Sequence, residues 1–318
     1  MKIIFTVCNR SQLPNALALG ESVLHFHPEI TFYIGWADTV PLPKVKDGIN
    51  ILPVEEINVP EWGQMCAHYY DFELVAASRP WFAKGLLKKH KACEQITFLA
   101  PTTLLFSSMQ SLNITADLSL TPHISKPLAI SQNLDDKRIL NIGMFHSGSW
   151  ILKAGEPANT LLDWWSHRTI DRAKFDLCNG MCMEQLWLNY APIWVKNTVQ
   201  IQHSGWHYGL HSILNKDLRE EKGGFWVDDE NLISVDFAGL NNYHPVWSDH
   251  SKLVDRNSSF KRLFNNYETT LKKYHKGNNS EQASFGKPSN ISSQRILRRN
   301  IAGKLKALTT FVDKFQGL

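Results

Sequence analysis

Long apolar runs are missing from this 318-residue chain. No uncharged apolar stretch approaches the ~18 residues needed to cross a bilayer. The opening MKIIFTVCNR has no extended apolar segment of the kind that marks a secretory leader. A cytoplasmic location is therefore expected. Cysteine is scarce and forms no framework. Cys8, Cys66, Cys93, Cys178 and Cys182 are odd in number, with no Cys-x-x-Cys among them. No Cys or His pair completes a zinc pattern around Cys178 and Cys182. Free thiols in a reducing compartment fit this usage. An excess of one charge is lacking too: 34 Lys and Arg stand against 30 Asp and Glu, leaving +4. That balance, with no arginine-rich arm, zinc knuckle or RNA-recognition signature, excludes nucleic acid as the expected partner. The loop after the first apolar run, CNRSQLPN, has no glycine-rich, lysine-containing signature, which argues against a nucleotidyltransferase. There is no internal repeat.

The chain does hold a regular alternation of apolar runs and helical patterns. Lys2 to Val7 reads as a buried strand running into a polar loop. Leu13 to Phe26 has apolar residues at helical spacing and ends before Pro28. Thr31 to Gly35 and Asn50 to Leu52 follow as strands. This opening predicts an α/β fold with a Rossmann-type sheet covered by helices. Asp71 to His90 reads as two helical pieces, because Pro80 interrupts one helix. Gln95 to Leu99, Thr103 to Phe106, Ala116 to Thr121, Gly143 to Leu152 and Ile233 to Phe237 are further strands. Ala158 to His167 and Met181 to Tyr190 are helices. One domain over 1–275 is expected, then a polar linker over 276–294, rich in Ser, Asn and Gly. Residues 295–318 place Ile301, Leu305, Leu308 and Phe311 on one face of a helix and Arg295, Arg298, Arg299, Lys304, Lys306 and Lys314 around it. Such a helix lies on an anionic membrane surface as a peripheral contact, or docks on its own core or a partner subunit.

Several segments, in their order and spacing, resemble the GT-A-fold glycosyltransferases of the glycogenin-like (family 8-like) type, across roughly residues 1 to 260. In Thr6 to Asp38 the resemblance implies that Thr6, Cys8, Asn9 and Asp38 form the nucleoside pocket. In ELVAASRPWF it implies that Arg79 faces the donor phosphates, which a guanidinium binds in a fork. The segment ITFLAPTTLLF is similar to the family's Asp-x-Asp segment, whose two carboxylates hold a divalent ion. Here Ala100 and Thr102 stand in their places. In Asn141 to Pro157, Phe145-His146-Ser147-Gly148 matches the family's Phe-Asn-Ser-Gly, with His146 for Asn. In MCMEQLWLNY, Glu184-Gln185 stands where relatives carry Asp-Gln, which implies catalytic positions near the reacting carbon. In SVDFAGLNNYHP, Asp236 takes the place of the family's third ligand, a His.

All three ligand positions have therefore changed. Neither Ala nor a lone Thr hydroxyl suits a hard cation, so no metal and no other cofactor is expected at the altered motif, although a divalent ion elsewhere stays open. The expected function is metal-independent glycosyl transfer in cell-surface polysaccharide biosynthesis, from a nucleotide-diphosphate sugar to a glycan or glycolipid acceptor. The departing diphosphate then needs Arg79, Lys153, His146, His203 or His207 for charge or hydrogen bonds. HSGWHYGLH, His203 to His211, is the richest histidine cluster; metal binding there is open, but its spacing matches no strong template, and the resemblance implies a loop beside the donor site instead. Glu184 or Asp163 could act as a base in an inverting reaction. The rival from another class is a non-catalytic nucleotide-sugar- or carbohydrate-binding relative that lost turnover.

Overall fold

The computed structural model describes residues 1–128, 136–221, 223–274, 282–288, 301, 304–305 and 307–314. In chain order the strands are β1 (Lys2–Cys8), β2 (Thr31–Trp36), β3 (Ile49–Pro53), β4 (Gln95–Leu99), β5 (Thr103–Leu105), β6 (Leu118–Pro122) and β7 (Phe145–Lys153). Shorter ones follow: β8 (Phe175–Asp176), β9 (Met181–Cys182), β10 (Thr198–Gln200), β11 (Leu218–Glu221), β12 (Gly224–Val227), β13 (Glu230–Asn231) and β14 (Ser234–Asp236). The helices are α1 (Leu13–Phe26), α2 (Val54–Ile57), α3 (Trp62–His68), α4 (Asp71–Lys89), α5 (Asp136–Ile142), α6 (Glu156–Arg168), α7 (Ala191–Trp194) and α8 (Ser258–Lys272).

Seven strands form one sheet in the order β10-β6-β7-β4-β1-β2-β3. β3, β2, β1 and β4 run parallel, and β7 lies antiparallel between β4 and β6. This is the mixed, helix-covered α/β sheet that the alternating pattern predicts. β1 shows why the pattern is legible: after Lys2 every residue of KIIFTVC is buried, as a strand covered on both faces must be. Gly20 lets α1 lie close on the sheet, since a Cβ there would meet the Phe32 ring at 2.8 Å.

Two local expectations are corrected. α4 is one helix, with Pro80 inside it. Pro80 removes a single N–H, but Leu74, Val75, Ala76 and Ala77 before it and Trp81, Phe82 and Ala83 after it are all buried. Packing on both sides of the interruption outweighs the missing bond. Met181 to Tyr190 is not an α-helix: β9 leads into a run of 3-10 turns over Met183–Tyr190. Met183 enters that run with φ 49°, a conformation that a continuous helix excludes. Within the polar stretch after α8, residues 282–288 pack on the domain. Lys287 donates its N–H to the Tyr69 carbonyl (2.8 Å), accepts from the Asp71 N–H (3.1 Å), and Phe285 meets the Trp62 ring edge-on at 5.6 Å.

Residues 307–313 are helical. Ile301, Leu305, Leu308, Phe311 and Val312 are 49–61% exposed, so this apolar face does not lie in the core. No helix among the described residues is long and apolar enough to cross a membrane.

Candidate functional site

Parallel strands leave their carboxyl ends at one edge, where chain reversals open a crevice. Here β4 ends at Leu99, and β7, running the other way, starts at Phe145, with Leu99 opposite Ser149. The turn Ala100-Pro101-Thr102 and the strand start His146-Ser147-Gly148 therefore meet at the same edge. They line a cavity of about 40 Å³ with Gln12, Arg79, Gln185, Asp236, Tyr243 and His244. β14 delivers Asp236 by pairing with β5, Asp236 opposite Thr103. Ala100, Thr102, Asp236, Arg79 and the His146-Ser147-Gly148 segment thus come together around one cavity.

Arg79 reaches the cavity from the middle of α4. Its Nη1 donates to Glu184 Oε1 at 2.5 Å and to Ser147 Oγ at 3.1 Å, and its guanidinium lies 5.0 Å over the Phe98 ring. It is therefore no solvated surface arginine. Glu184 sits behind it, fully buried, with Oε2 lacking a partner. In this state Glu184 is the counter-ion of Arg79, and Gln185 faces the cavity. The Gln185 amide braces the strand start: Oε1 accepts the Ser147 N–H at 3.1 Å and Nε2 donates to the Ile142 carbonyl at 2.8 Å.

Thr102 Oγ1 donates to Asp236 Oδ1 at 2.6 Å, and the Ala238 N–H reaches the same oxygen at 3.1 Å. The Thr that replaces an acid is therefore a partner of the acid that replaces a His. Asp236 Oδ2 points the other way, 3.8 Å from His146 Nε2 and 3.6 Å from His207 Nε2. Gly148 is required here: a Cβ would lie 2.9 Å from His146 Nδ1 and 3.1 Å from His207 Nε2. The close approach that the glycine permits is to these two rings.

The rings belong to a buried group of imidazoles. His146 lies 4.6 Å from His123, 4.6 Å from His207 and 4.7 Å from His211, with Trp247 stacked beyond it at 6.1 Å. Burial disfavours the imidazolium throughout. It lowers His207 to about 4, with Asp236 only partly opposing, and His123 and His244 each to about 3. His146 and His211 are also held well below the ordinary histidine range. At neutral pH these rings are uncharged, so they offer lone pairs and N–H groups and no cationic charge.

Thr6, Cys8, Asn9 and Asp38 lie along the neighbouring edge, at the ends of β1 and β2, and do not line the cavity. Asp38 takes a two-pronged grip from Arg10, Nη2 to Oδ1 at 2.7 Å and Nε to Oδ2 at 3.0 Å. Burial raises its pKa, but these bonds with those of the Arg10 and Thr39 N–H groups outweigh it and leave the carboxyl below its usual range. The Cys8 thiol is pushed up by burial and by Asp38, so it is inert as a nucleophile. His203 is half-buried on a separate loop, accepting the Gly205 N–H at 3.1 Å and lying 3.7 Å from Glu230. Lys153 is excluded from the cavity. It sits seven residues along β7 from His146, about 23 Å at strand rise, beside Asp117. Asp163 is exposed and paired to Lys84 at 2.5 Å.

The sequence picked His203 from its histidine cluster and proposed His207 as a source of charge or hydrogen bonds. His123, His211, His244, Tyr243 and Gln12 were missed. His211 had a signal, being four residues after His207 in HSGWHYGLH. His123 had none, since its place is set by the β6–β7 pairing.

No family model matches this chain, and no curated protein matches it. Solved structures that are similar include a crystal structure of the galactosyltransferase LgtC in complex with donor and acceptor sugar analogues, at 12% identity and a TM-score of 0.47. An active-site mutant of LgtC is similar at 12% identity and a TM-score of 0.46. Each alignment covers 81% of this chain and 96% of the other. At that identity and score the likeness is one of outline, and the cavity itself has to carry any functional assignment.

Proposed function

We propose that the protein is a GT-A-type glycosyltransferase that moves a sugar from a nucleotide-diphosphate donor to a glycan or glycolipid acceptor in cell-surface polysaccharide assembly. The observation that supports this most is the gathering of Arg79, Ala100, Thr102, His146, Ser147, Gly148, Gln185 and Asp236 around one cavity at the carboxyl edge of the sheet. These residues come from five separate segments, and a plain β-α-β scaffold has no need to collect them. Positions 100 and 102 hold no ion in this reading, since their side chains offer one hydroxyl, already donated to Asp236. The leaving diphosphate is met by Arg79 and by neutral N–H donors. A donor must then compete with Glu184 for the guanidinium.

The Arg79–Glu184 pair also favours the second reading, a binding protein without turnover, because it neutralises the cation that chemistry needs. Titration of UDP- and GDP-sugars in EDTA separates the two. Sugar release under chelation is the expected result. Saturable binding with no release supports the binding protein, and no binding of either donor removes both readings.

The basic tail, residues 295–318, is assigned to peripheral contact with an anionic bilayer, where a glycolipid acceptor resides. Its exposed apolar positions and basic residues suit the acyl boundary and the headgroups respectively. Co-sedimentation with phosphatidylserine vesicles should fall about tenfold when residues 295–318 are deleted. Equal sedimentation of the two forms would remove this role.

A further inference from the structure

The geometry points to a binding site for one transition-metal cation, of the zinc or cobalt type, formed by His146 Nε2, His207 Nε2 and Asp236 Oδ2. The three ligand atoms all lie within 4.8 Å of one another, and all three residues are buried. The two His–Asp separations are 3.8 and 3.6 Å. They are too long for hydrogen bonds. A tetrahedral ion with bonds of ~2.1 Å spaces its ligand atoms about 3.4 Å apart, so the two His–Asp edges need to shorten by only a few tenths of an ångström, and the edge between the two imidazoles closes from no more than 4.8 Å.

Three further observations favour an ion over a tolerated polar cluster. His146 Nε2 and both ring nitrogens of His207 are buried without hydrogen-bond partners, which folded proteins avoid unless something else satisfies them. The carboxylate is divided in use: Oδ1 is fixed by Thr102 and Ala238, leaving Oδ2 to face the rings. Such support behind a ligand is what orients it for a metal. His207 is held at φ 51°, an unfavourable conformation for a non-glycine residue. Its N–H is fixed by Ser234 Oγ at 2.8 Å, and Tyr208 beside it exchanges backbone bonds with Ser234 and Asp236. Two of the three ligands therefore come from one locked backbone unit.

Two imidazoles and one carboxylate suit zinc or cobalt, whereas magnesium and calcium favour oxygen ligands. The His146 Nδ1 contact from the Gly148 N–H, at 3.2 Å, has to open when the proton moves to Nδ1, which sacrifices one long hydrogen bond. A divalent ion with one carboxylate retains a positive charge. His146 and Asp236 also line the cavity, so a fourth position is open to an anionic oxygen on that side. Metal binding here does not depend on glycosyl transfer, although His146 and Asp236 also face the proposed donor cavity; the ion's use against a diphosphate rests on the function proposed above.

The test uses the full chain, stripped with EDTA, dialysed and titrated with Co²⁺ by visible absorption and calorimetry. One equivalent should bind, with d–d bands of an imidazole-ligated ion, and Zn²⁺ should displace it. His146→Gln and Asp236→Asn should each weaken binding about 100-fold or more. Gly148→Ala retains all three ligands but crowds His207 Nε2, and should weaken it as well. X-ray absorption at the cobalt edge of the unaltered protein checks the assignment even if a variant misfolds: two imidazole nitrogens support it. No stoichiometric uptake, uptake unchanged in folded His146→Gln and Asp236→Asn, or an ion shell without imidazole overturns it. UDP-sugar titration of the loaded and stripped protein then tests the function separately, since an ion bound without any donor affinity leaves the site standing and removes the transferase.

Discussion

Arg79→Met should destabilise the protein by about 3–5 kcal/mol, because it strands the Glu184 carboxylate in the interior. Glu184 is fully buried, and its second oxygen is already without a partner, so water cannot replace the lost bond cheaply. Glu184→Gln alone should be milder, since Arg79 is partly exposed and retains the Ser147 hydroxyl and the Phe98 face. The double variant, Met with Gln, should recover at least about 2 kcal/mol relative to Arg79→Met. Urea denaturation of the four proteins measures this. If the two single costs are both below about 1 kcal/mol and additive, the pair is not the buried unit described here. Donor affinity gives a second readout. Glu184→Gln releases the guanidinium for phosphate oxygens and should tighten nucleoside diphosphate binding about tenfold. Arg79→Met should abolish it. Were Glu184→Gln to weaken the nucleotide instead, Arg79 would be a strut between α4 and the 3-10 segment rather than a phosphate contact.

Acid should unfold the metal-free protein unusually early. His207, near 4, and His123 and His244, near 3, all lie below the ~6.5 of an unfolded histidine. The unfolded chain therefore binds more protons between those limits. Stability is complete above about pH 6.5 and declines as pH falls through the window. From pH 7 to 5 each such ring costs about 2 kcal/mol, so three remove about 6 kcal/mol, which is comparable to the whole stability of an ordinary domain. Urea midpoints in EDTA at pH 7, 6 and 5 should fall steeply. A flat profile over that range would mean that the imidazoles accept protons in the folded state.

The fold was legible where burial writes itself into the sequence. The buried run of β1 and the helical spacing of α1 gave their own boundaries to within a residue or so. Pro80 misled, because the rule that a proline interrupts a helix is local and the packing that overrides it is not. The 3-10 turns at Met183 were hidden for a similar reason: the apolar spacing of MCMEQLWLNY suits a helix, and only the positive φ of Met183 reveals the alternative. At the site, changed residues were readable one by one, but their new partnership was not. Ala100, Thr102 and Asp236 look like losses in order along the chain. Only β14 pairing with β5 shows that Thr102 holds one oxygen of Asp236 and turns the other toward two histidines. His207 and His211 share one segment, HSGWHYGLH, but no local spacing links that segment to His146 at the start of β7 or to His123 after β6.

The packed segment 282–288 sets where on the domain the C-terminal part of the chain departs. Its Ser284 hydroxyl accepts from Thr39 beside Asp38, and Pro288 is its last described residue. Seven residue steps separate Pro288 from Arg295, a tether of at most about 25 Å. If the peripheral membrane contact proposed for 295–318 holds, it begins within that reach of the side of the domain bearing Asp38, which narrows the directions from which a membrane-held acceptor could approach.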